Sequence, residues 1–178
     1  MTFYDRGEML KKVALYLLER KKKYYELSYK TGATHADSWV DIEGGFGTFF
    51  TYSGLAKRML PNTPFWVDGD TQKISANGTF LGTHILTPSE GVSVQINAYN
   101  FPVWGMMEKL STSLLAGVPS IVKPATPGSY LTNAVFQDMI ESGILPEGAI
   151  QLVCGEPGNI LDYVQDGDSV LFTGSAST

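Results

Sequence analysis

The sequence holds one cysteine, Cys154, which excludes an intrachain disulfide and a cysteine-built zinc site. Histidine is almost as scarce. His35 and His84 stand far apart without metal-ligand spacing, so no metal is expected. No run of about 18 apolar residues occurs, and no transmembrane helix is expected. Asp5, Arg6 and Glu8 occupy the stretch where the apolar core of a secretion signal would lie, which points to a cytoplasmic protein. Basic residues are also short: 13 Lys and Arg face 18 Asp and Glu, a net charge of -5. That balance disfavours a nucleic-acid partner or an anionic membrane, since both need a clustered cationic excess. The one basic cluster, Arg20-Lys-Lys-Lys23, reads as a solvated helix face.

With 178 residues, 43% of them hydrophobic and 17% charged, the chain has room for one good core. From Gly91 to Ser175, short apolar runs alternate with helix-length amphipathic segments. This is the pattern of an α/β fold: a Rossmann-like parallel sheet with flanking helices. The runs are Val92–Ile96, Ser120–Lys123, Ile150–Cys154 and Ser169–Thr173. Helices are expected between them, over Pro102–Val118, Tyr130–Ser142 and Asn159–Gln165, so right-handed crossovers would make the strands parallel. Met106 and Met107 on the first of these read as core filler rather than as a cofactor face. Each run ends in polar or small residues. Ligands of open α/β sheets lie outside the carboxyl ends of the strands, so the four ends predict a single site suited to a dinucleotide.

Ahead of the sheet, the apolar pairs Met9-Leu10, Val13-Ala14 and Leu17-Leu18 describe one helical stripe within residues 5–30, stopped at Thr31-Gly32. A second helix is expected over Asp37–Met59, with acidic residues in its first turn and Lys57 and Arg58 in its last. Inside it, Gly44-Gly-Phe-Gly47 lacks the preceding strand that a phosphate-binding loop needs. These glycines read instead as a point of close helix approach. In residues 71–89, Asn77-Gly78 between β-prone flanks predicts a hairpin with a type I′ turn, marginal alone and therefore in need of a partner surface. The expected division is a helical part over 1–70, a hairpin arm over 71–89 and a dinucleotide-binding part over 90–178. The helix that should follow the last strand would begin about at Thr178, so apolar sheet surface should stay uncovered, as in a truncated unit.

At the strand ends, Gly174 allows close backbone approach to a phosphate, and Ser175 could cap a following helix while meeting the anion; a plain N-cap is the alternative. Lys123 could reach a ribose hydroxyl or phosphate, or be simply solvated. The amide of Asn100 could donate to a developing oxyanion, or serve only as a turn residue before Phe101-Pro102.

Three segments also carry a resemblance. Ala98-Tyr-Asn-Phe-Pro102, Ile121-Val-Lys-Pro-Ala125 and Leu171-Phe-Thr-Gly-Ser175 resemble, in order and spacing, the cofactor half of the aldehyde dehydrogenase superfamily. A closer similarity, through Asp37-Ser-Trp-Val-Asp-Ile-Glu-Gly-Gly45, Asn97-Ala-Tyr-Asn-Phe-Pro102 and Glu108-Lys-Leu110, is to the dehydrogenase part of the bifunctional phenylacetate-degradation family. The resemblance implies an NAD(P)-dependent oxidation of an aldehyde, a CoA-linked semialdehyde of aromatic catabolism, in a chain fused to or paired with a hydratase domain. It also implies that Asn100 is the oxyanion donor, that Asn97, Ala98 and Tyr99 line the nicotinamide side, and that Lys123 with Ala125 and Thr126 meets the adenosine ribose. Gly174 with Ser175 would hold the pyrophosphate, Phe172 and Thr173 would also be cofactor-binding, Gly155 and Gly158 would shape the adenine pocket, and residues 71–89 would form a homo-oligomerisation arm.

Some positions depart from the family pattern. Tyr99 replaces the usual Trp, and Thr126 stands where NAD-preferring members often carry Glu. Without that carboxylate to repel a 2′-phosphate, and with Lys123 nearby, NADP is expected, with NAD as the alternative. The family's nucleophilic cysteine and general-base glutamate fall beyond Thr178, and its structure before the first helix is curtailed. Cys154 does not stand in for the nucleophile: it closes an apolar strand and is expected to be a core thiol. Two other readings stay open at this point: a catalytically dead nucleotide-binding or assembly module, and another doubly wound enzyme such as a methyltransferase.

Overall fold

A computed structural model describes residues 1–176. Helix α1 (Phe3–Leu18) starts at a capping box, with the Thr2 hydroxyl accepting from the Asp5 N–H and the Asp5 carboxylate accepting from the Thr2 N–H. Its stripe of Met9, Leu10, Val13, Ala14 and Leu17 is buried. The stripe does not run on to Gly32 as one helix. The chain breaks at Glu19-Arg20 and resumes as α2 (Lys21–Ser28), followed by a short 3-10 turn over Tyr29–Thr31 and a left-handed Gly32. No apolar residue follows Leu18 at helical spacing, and the break lets Tyr24 turn into the core, where its hydroxyl donates to Asp138. The basic cluster is the solvated face that its composition suggests, with Lys21, Lys22 and Lys23 exposed, and it also forms ion pairs: Lys21 with Glu43 at 3.0 Å and Lys23 with the buried Asp138 at 2.6 Å.

Helix α3 (His35–Trp39), capped by Thr34, leads into a single π-helical turn over Val40–Gly44 and then α4 (Gly45–Met59). The expected second helix is therefore present, two residues longer at its start and widened in its middle. Its glycines do admit a neighbour. A Cβ on Gly44 would lie 2.4 Å from the Trp104 ring, and one on Gly45 would lie 3.1 Å from the Trp104 backbone.

The hairpin pairs β1 (Trp66–Lys73) with β2 (Leu81–Leu86), starting five residues before the expected boundary. Its turn is not type I′, because Gly78 has a positive φ of 71° while Asn77 does not. The Asn77 side chain instead holds the turn, accepting from the Thr79 N–H and from the hydroxyls of Ser75 and Thr79.

The main sheet contains β3 (Ser93–Ile96), β4 (Ser120–Lys123), β5 (Ile150–Leu152) and β6 (Ser169–Phe172), all parallel, in the order β5-β4-β3-β6. Helices α5 (Pro102–Ala116) and α6 (Ser129–Glu141) make the first two crossovers. The third contains a 3-10 turn over Ile160–Tyr163 rather than the expected helix. Strand β5 lies at the edge and stops at Leu152. Cys154 is consequently exposed, not a core thiol: the last ladder bond runs from Val153 N–H to the Val122 carbonyl, and the chain then turns away at Gly155.

Helix α5 is the centre of the core. It packs on α1, α4, α6, β3 and β4, and it buries Met106, Met107 and Leu110 completely. The buried guanidinium of Arg6 reaches across to its last turn, donating to the Leu115 carbonyl at 2.8 Å. Val170 and Phe172 on β6 remain 43% and 48% exposed. Among the described residues, no helix is long and apolar enough to cross a membrane.

Gly44 and Gly47 lie one helical turn apart in opposite surroundings, since a Cβ on Gly47 would meet nothing within 4 Å. Gly44→Ala should therefore destabilise the fold by roughly 1–3 kcal/mol through overpacking against Trp104. Gly47→Ala should be neutral or gain up to ~1 kcal/mol from helix propensity. Urea melts of the two variants check this; equal effects would show that Trp104 yields freely.

Candidate functional site

Strand β3 lies in the middle of the sheet. From it the chain steps outward to β4 and β5, then crosses back to place β6 on the other side. Between β3 and β6 the winding direction reverses, and loops on either side of such a switch part to leave a crevice at the carboxyl ends. A cleft of about 1150 Å³ opens there. The first strand contributes Ile96, Asn97, Ala98, Tyr99 and Asn100, and the second contributes Lys123, Ala125 and Thr126. Phe172, Thr173, Gly174 and Ser175 form the opposite wall. Hydrogen bonding continues past the regular strands, from Asn97 N–H to the Lys123 carbonyl at 3.0 Å and from Thr173 N–H to the Ile96 carbonyl at 2.9 Å, so these walls are fixed to one another.

Of the glycines expected near the adenine, Gly158 lines the cleft and Gly155 does not; Gly155 instead accepts the Thr126 hydroxyl through its carbonyl at 3.2 Å. Glu156, within the polar end of the third strand, also lines the cleft, and so do Asn159, Ile160 and Asp162, where a helix is expected. In place of the crossover helix expected over Asn159–Gln165, the chain makes a 3-10 turn over Ile160–Tyr163 beside the opening. The polar run Glu156-Pro-Gly-Asn159, too rich in turn formers for a helix start, was the available signal.

Two side chains inside the cleft are poised differently. Lys123 is only 6% exposed, and its ammonium donates to the Pro124 carbonyl at 2.6 Å, which leaves further N–H donors for a ligand. Asn97 is 5% exposed, and neither its amide oxygen nor its amide nitrogen has a hydrogen-bond partner among the described residues. Buried amides are normally satisfied. A polar ligand lying on the floor of this cleft would supply what Asn97 lacks. A Cβ on Gly174 would come within 2.6 Å of the Phe172 ring, so glycine is what lets that wall fold tightly. Cys154 is not part of the lining.

The loop carrying Asn100 ends at Phe101, which has φ 56° and ψ 56° and is the one non-glycine residue with positive φ among those described. Helix α5 begins there without a cap from its own chain neighbourhood. Instead Asp41, from the π-helical turn, accepts the N–H groups of Val103 at 3.0 Å and Trp104 at 2.8 Å with one carboxylate oxygen. Burial pushes the Asp41 carboxyl up to about 6, against the opposite pull of those two N–H groups.

A folded pKa raised above the unfolded value means that the neutral form is favoured by folding. The contribution of Asp41 is thus complete below about pH 4 and falls away by ~3 kcal/mol as pH rises past about 6. Asp41→Asn keeps an acceptor oxygen but cannot ionise. Denaturant melts across about pH 4 to 7 should show the wild type losing stability relative to this variant by that amount; a constant difference would contradict the assignment.

Comparison with known proteins gives the site its context. The chain matches the aldehyde dehydrogenase family over residues 1–178. It is 39% identical to the 3,4-dehydroadipyl-CoA semialdehyde dehydrogenase of Aromatoleum evansii over 100% of this chain and 35% of that protein. It is 31% identical to the D-glyceraldehyde dehydrogenase (NADP(+)) of Picrophilus torridus, again over 100% of this chain and 35% of the relative. Among solved structures it resembles betaine aldehyde dehydrogenase from Staphylococcus aureus in complex with NAD+, with a TM-score of 0.72 and 25% identity over 88% of this chain and 29% of the other. The chain thus spans about a third of the length of the curated relatives it matches. A parallel sheet with its cleft at the switch point and a match that runs from end to end lead to one conclusion: this chain belongs to the aldehyde dehydrogenase family.

Proposed function

We propose that the cleft binds a nicotinamide dinucleotide, NADP in preference to NAD, as the cofactor side of an enzyme that oxidises a CoA-linked semialdehyde from aromatic catabolism. The observation that carries the cofactor reading is the buried, unpartnered amide of Asn97 on the floor of a cleft that lies at the sheet's switch point. The substrate class is supported by the Aromatoleum evansii relative, whose own name specifies a CoA-linked semialdehyde.

The chain's residues divide the work along the cleft. Asn97 has a free donor and a free acceptor for the nicotinamide end, and Ala98 and Tyr99 line the space beside it. Lys123 offers its spare ammonium donors to the adenosine ribose, where Ala125 and Thr126 leave room, and no carboxylate stands at position 126 to oppose a 2′-phosphate. Phe172, Thr173, Gly174 and Ser175 form the wall for the pyrophosphate. Gly158, with Gly155 behind it, shapes the adenine end.

The bound nicotinamide would supply the hydride acceptor. Asn100 would donate its amide N–H to the aldehyde oxygen as that oxygen gains negative charge. Cys154 lies outside the cleft lining and does not supply the attacking thiolate. Exposed apolar residues on the hairpin, including Val67, Ile85 and Leu86, suit pairing with a second copy. A hydratase domain, fused or paired, would fit the same catabolic role, in the cytoplasm.

Calorimetric titration with NADPH and NADH tests the cofactor reading. NADPH should bind more tightly than NADH. Lys123→Ala should weaken NADPH by about 10-fold to 100-fold, the loss of one charge-assisted hydrogen bond. Tighter binding of NADH would overturn the NADP preference, and absence of binding by either would overturn the site.

A further inference from the structure

We infer that Asp41, which lies outside the cleft, is the residue that positions Asn100, by holding the first turn of α5 and, through it, the left-handed Phe101. The inference rests on the reading of Asn100 as an oxyanion donor for its functional meaning, but its geometry stands independently.

Asn100 is exposed in the cleft, and its side chain makes no hydrogen bond among the described residues. Its direction is therefore set by backbone. The residue after it, Phe101, holds a left-handed conformation that is unfavourable for a non-glycine residue and persists only where its surroundings impose it. What imposes it is visible on the far side. The Phe101 carbonyl takes the first helical bond of α5, from Gly105 N–H at 2.8 Å. The next two N–H groups of the helix, Val103 and Trp104, both end on Asp41 Oδ1. Thr132 adds a bond to the Pro102 carbonyl at 3.3 Å from α6.

Asp41 reaches this point because of two features of its own element. The π-helical turn over Val40–Gly44 widens the helix where Asp41 sits, and Gly44 and Gly45 let that helix lie against the Trp104 backbone. Such turns are found disproportionately at functional sites. A buried carboxylate whose charged form is costly near neutral pH is also a poor choice if packing were its only purpose. Its use here is directional: one oxygen fixes two adjacent N–H groups and so the angle at which α5 leaves the cleft.

The test is nuclear magnetic resonance on the chain itself, comparing Asp41→Ala, Asp41→Asn and the pair Asp41→Ala with Phe101→Gly. In Asp41→Ala, amide exchange at Val103 and Trp104 should accelerate at least tenfold. Phe101 should lose its left-handed backbone signature in residual dipolar couplings, and the Asn100 backbone resonances and couplings should shift with it. Asp41→Asn keeps an acceptor and should preserve all three signals. Phe101→Gly removes the strain, so in that background Asp41→Ala should disturb the backbone at position 100 less than in wild type. Unchanged Phe101 and Asn100 signals in Asp41→Ala would overturn the inference. If that variant does not fold, displaced Asn100 signals in Asp41→Asn with Val103 and Trp104 still protected would overturn it equally. Titration of the wild-type chain with NADPH is read separately: failure to bind would count against the cofactor reading while leaving the Asp41 result intact.

Discussion

The contact between the glycine pair Gly44-Gly45 and the first turn of α5 is the constraint on which the rest of the structure depends. It brings two helix backbones closer than any side chain would permit, with Trp104 lying where a Cβ would otherwise stand. That proximity lets one carboxylate oxygen of Asp41 take two α5 N–H groups. It also seats α5 deeply enough to touch α1, α4 and α6 together with two strands. Each fully buried Leu or Met on this helix stabilises the fold by roughly 1.5–3 kcal/mol. The helix that carries most of the core therefore has the same starting point as the loop that carries Asn100, and stability and site geometry are set by one contact.

The cleft follows from topology rather than from any one residue. Because β3 is flanked by β4 on one side and β6 on the other, the loops leaving β3 and β6 turn to opposite sides. The strands are short, three or four residues each, yet hydrogen bonds continue beyond their ends at Asn97, Val153 and Thr173. Those extra bonds make the cleft walls extensions of the sheet. A site built this way is as rigid as its scaffold.

Much of this was legible because the relevant signals are local. The four apolar runs, the helices closed by Gly117 and Gly143, and the close approach at Gly44-Gly45 all appear where sequence pattern places them. The misreadings share a cause, which is that tertiary partners outweighed local pattern. Cys154 looked buried because a β-branched run says nothing about whether its strand lies at an edge. Asn77-Gly78 looked like a type I′ turn, but the Asn77 side chain offers three hydrogen bonds to a different turn. Asp41 carried no signal at all: an acidic residue in a helix's first turn is ordinary, and only the fold reveals that it caps a different helix.

The inner face of β3 shows what the cleft demands of the core. Ser93, Gln95 and Asn97 alternate along one face, all buried, where apolar residues would pack α5 best. Ser93 and Gln95 are partly satisfied through Ser113 of α5, at 3.1 Å and 3.5 Å. Asn97 is not. An unpaired buried amide costs on the order of 1–3 kcal/mol, and the neighbouring polar residues do nothing to recover it. At the end of the strand where the cleft begins, a ligand could complete the hydrogen bonds that the protein leaves open at Asn97. Hydrogen bonding along this face of β3 therefore thins toward the cleft: Ser93 and the Gln95 amide nitrogen meet Ser113, the Gln95 amide oxygen meets nothing, and Asn97 has neither amide atom paired among the described residues.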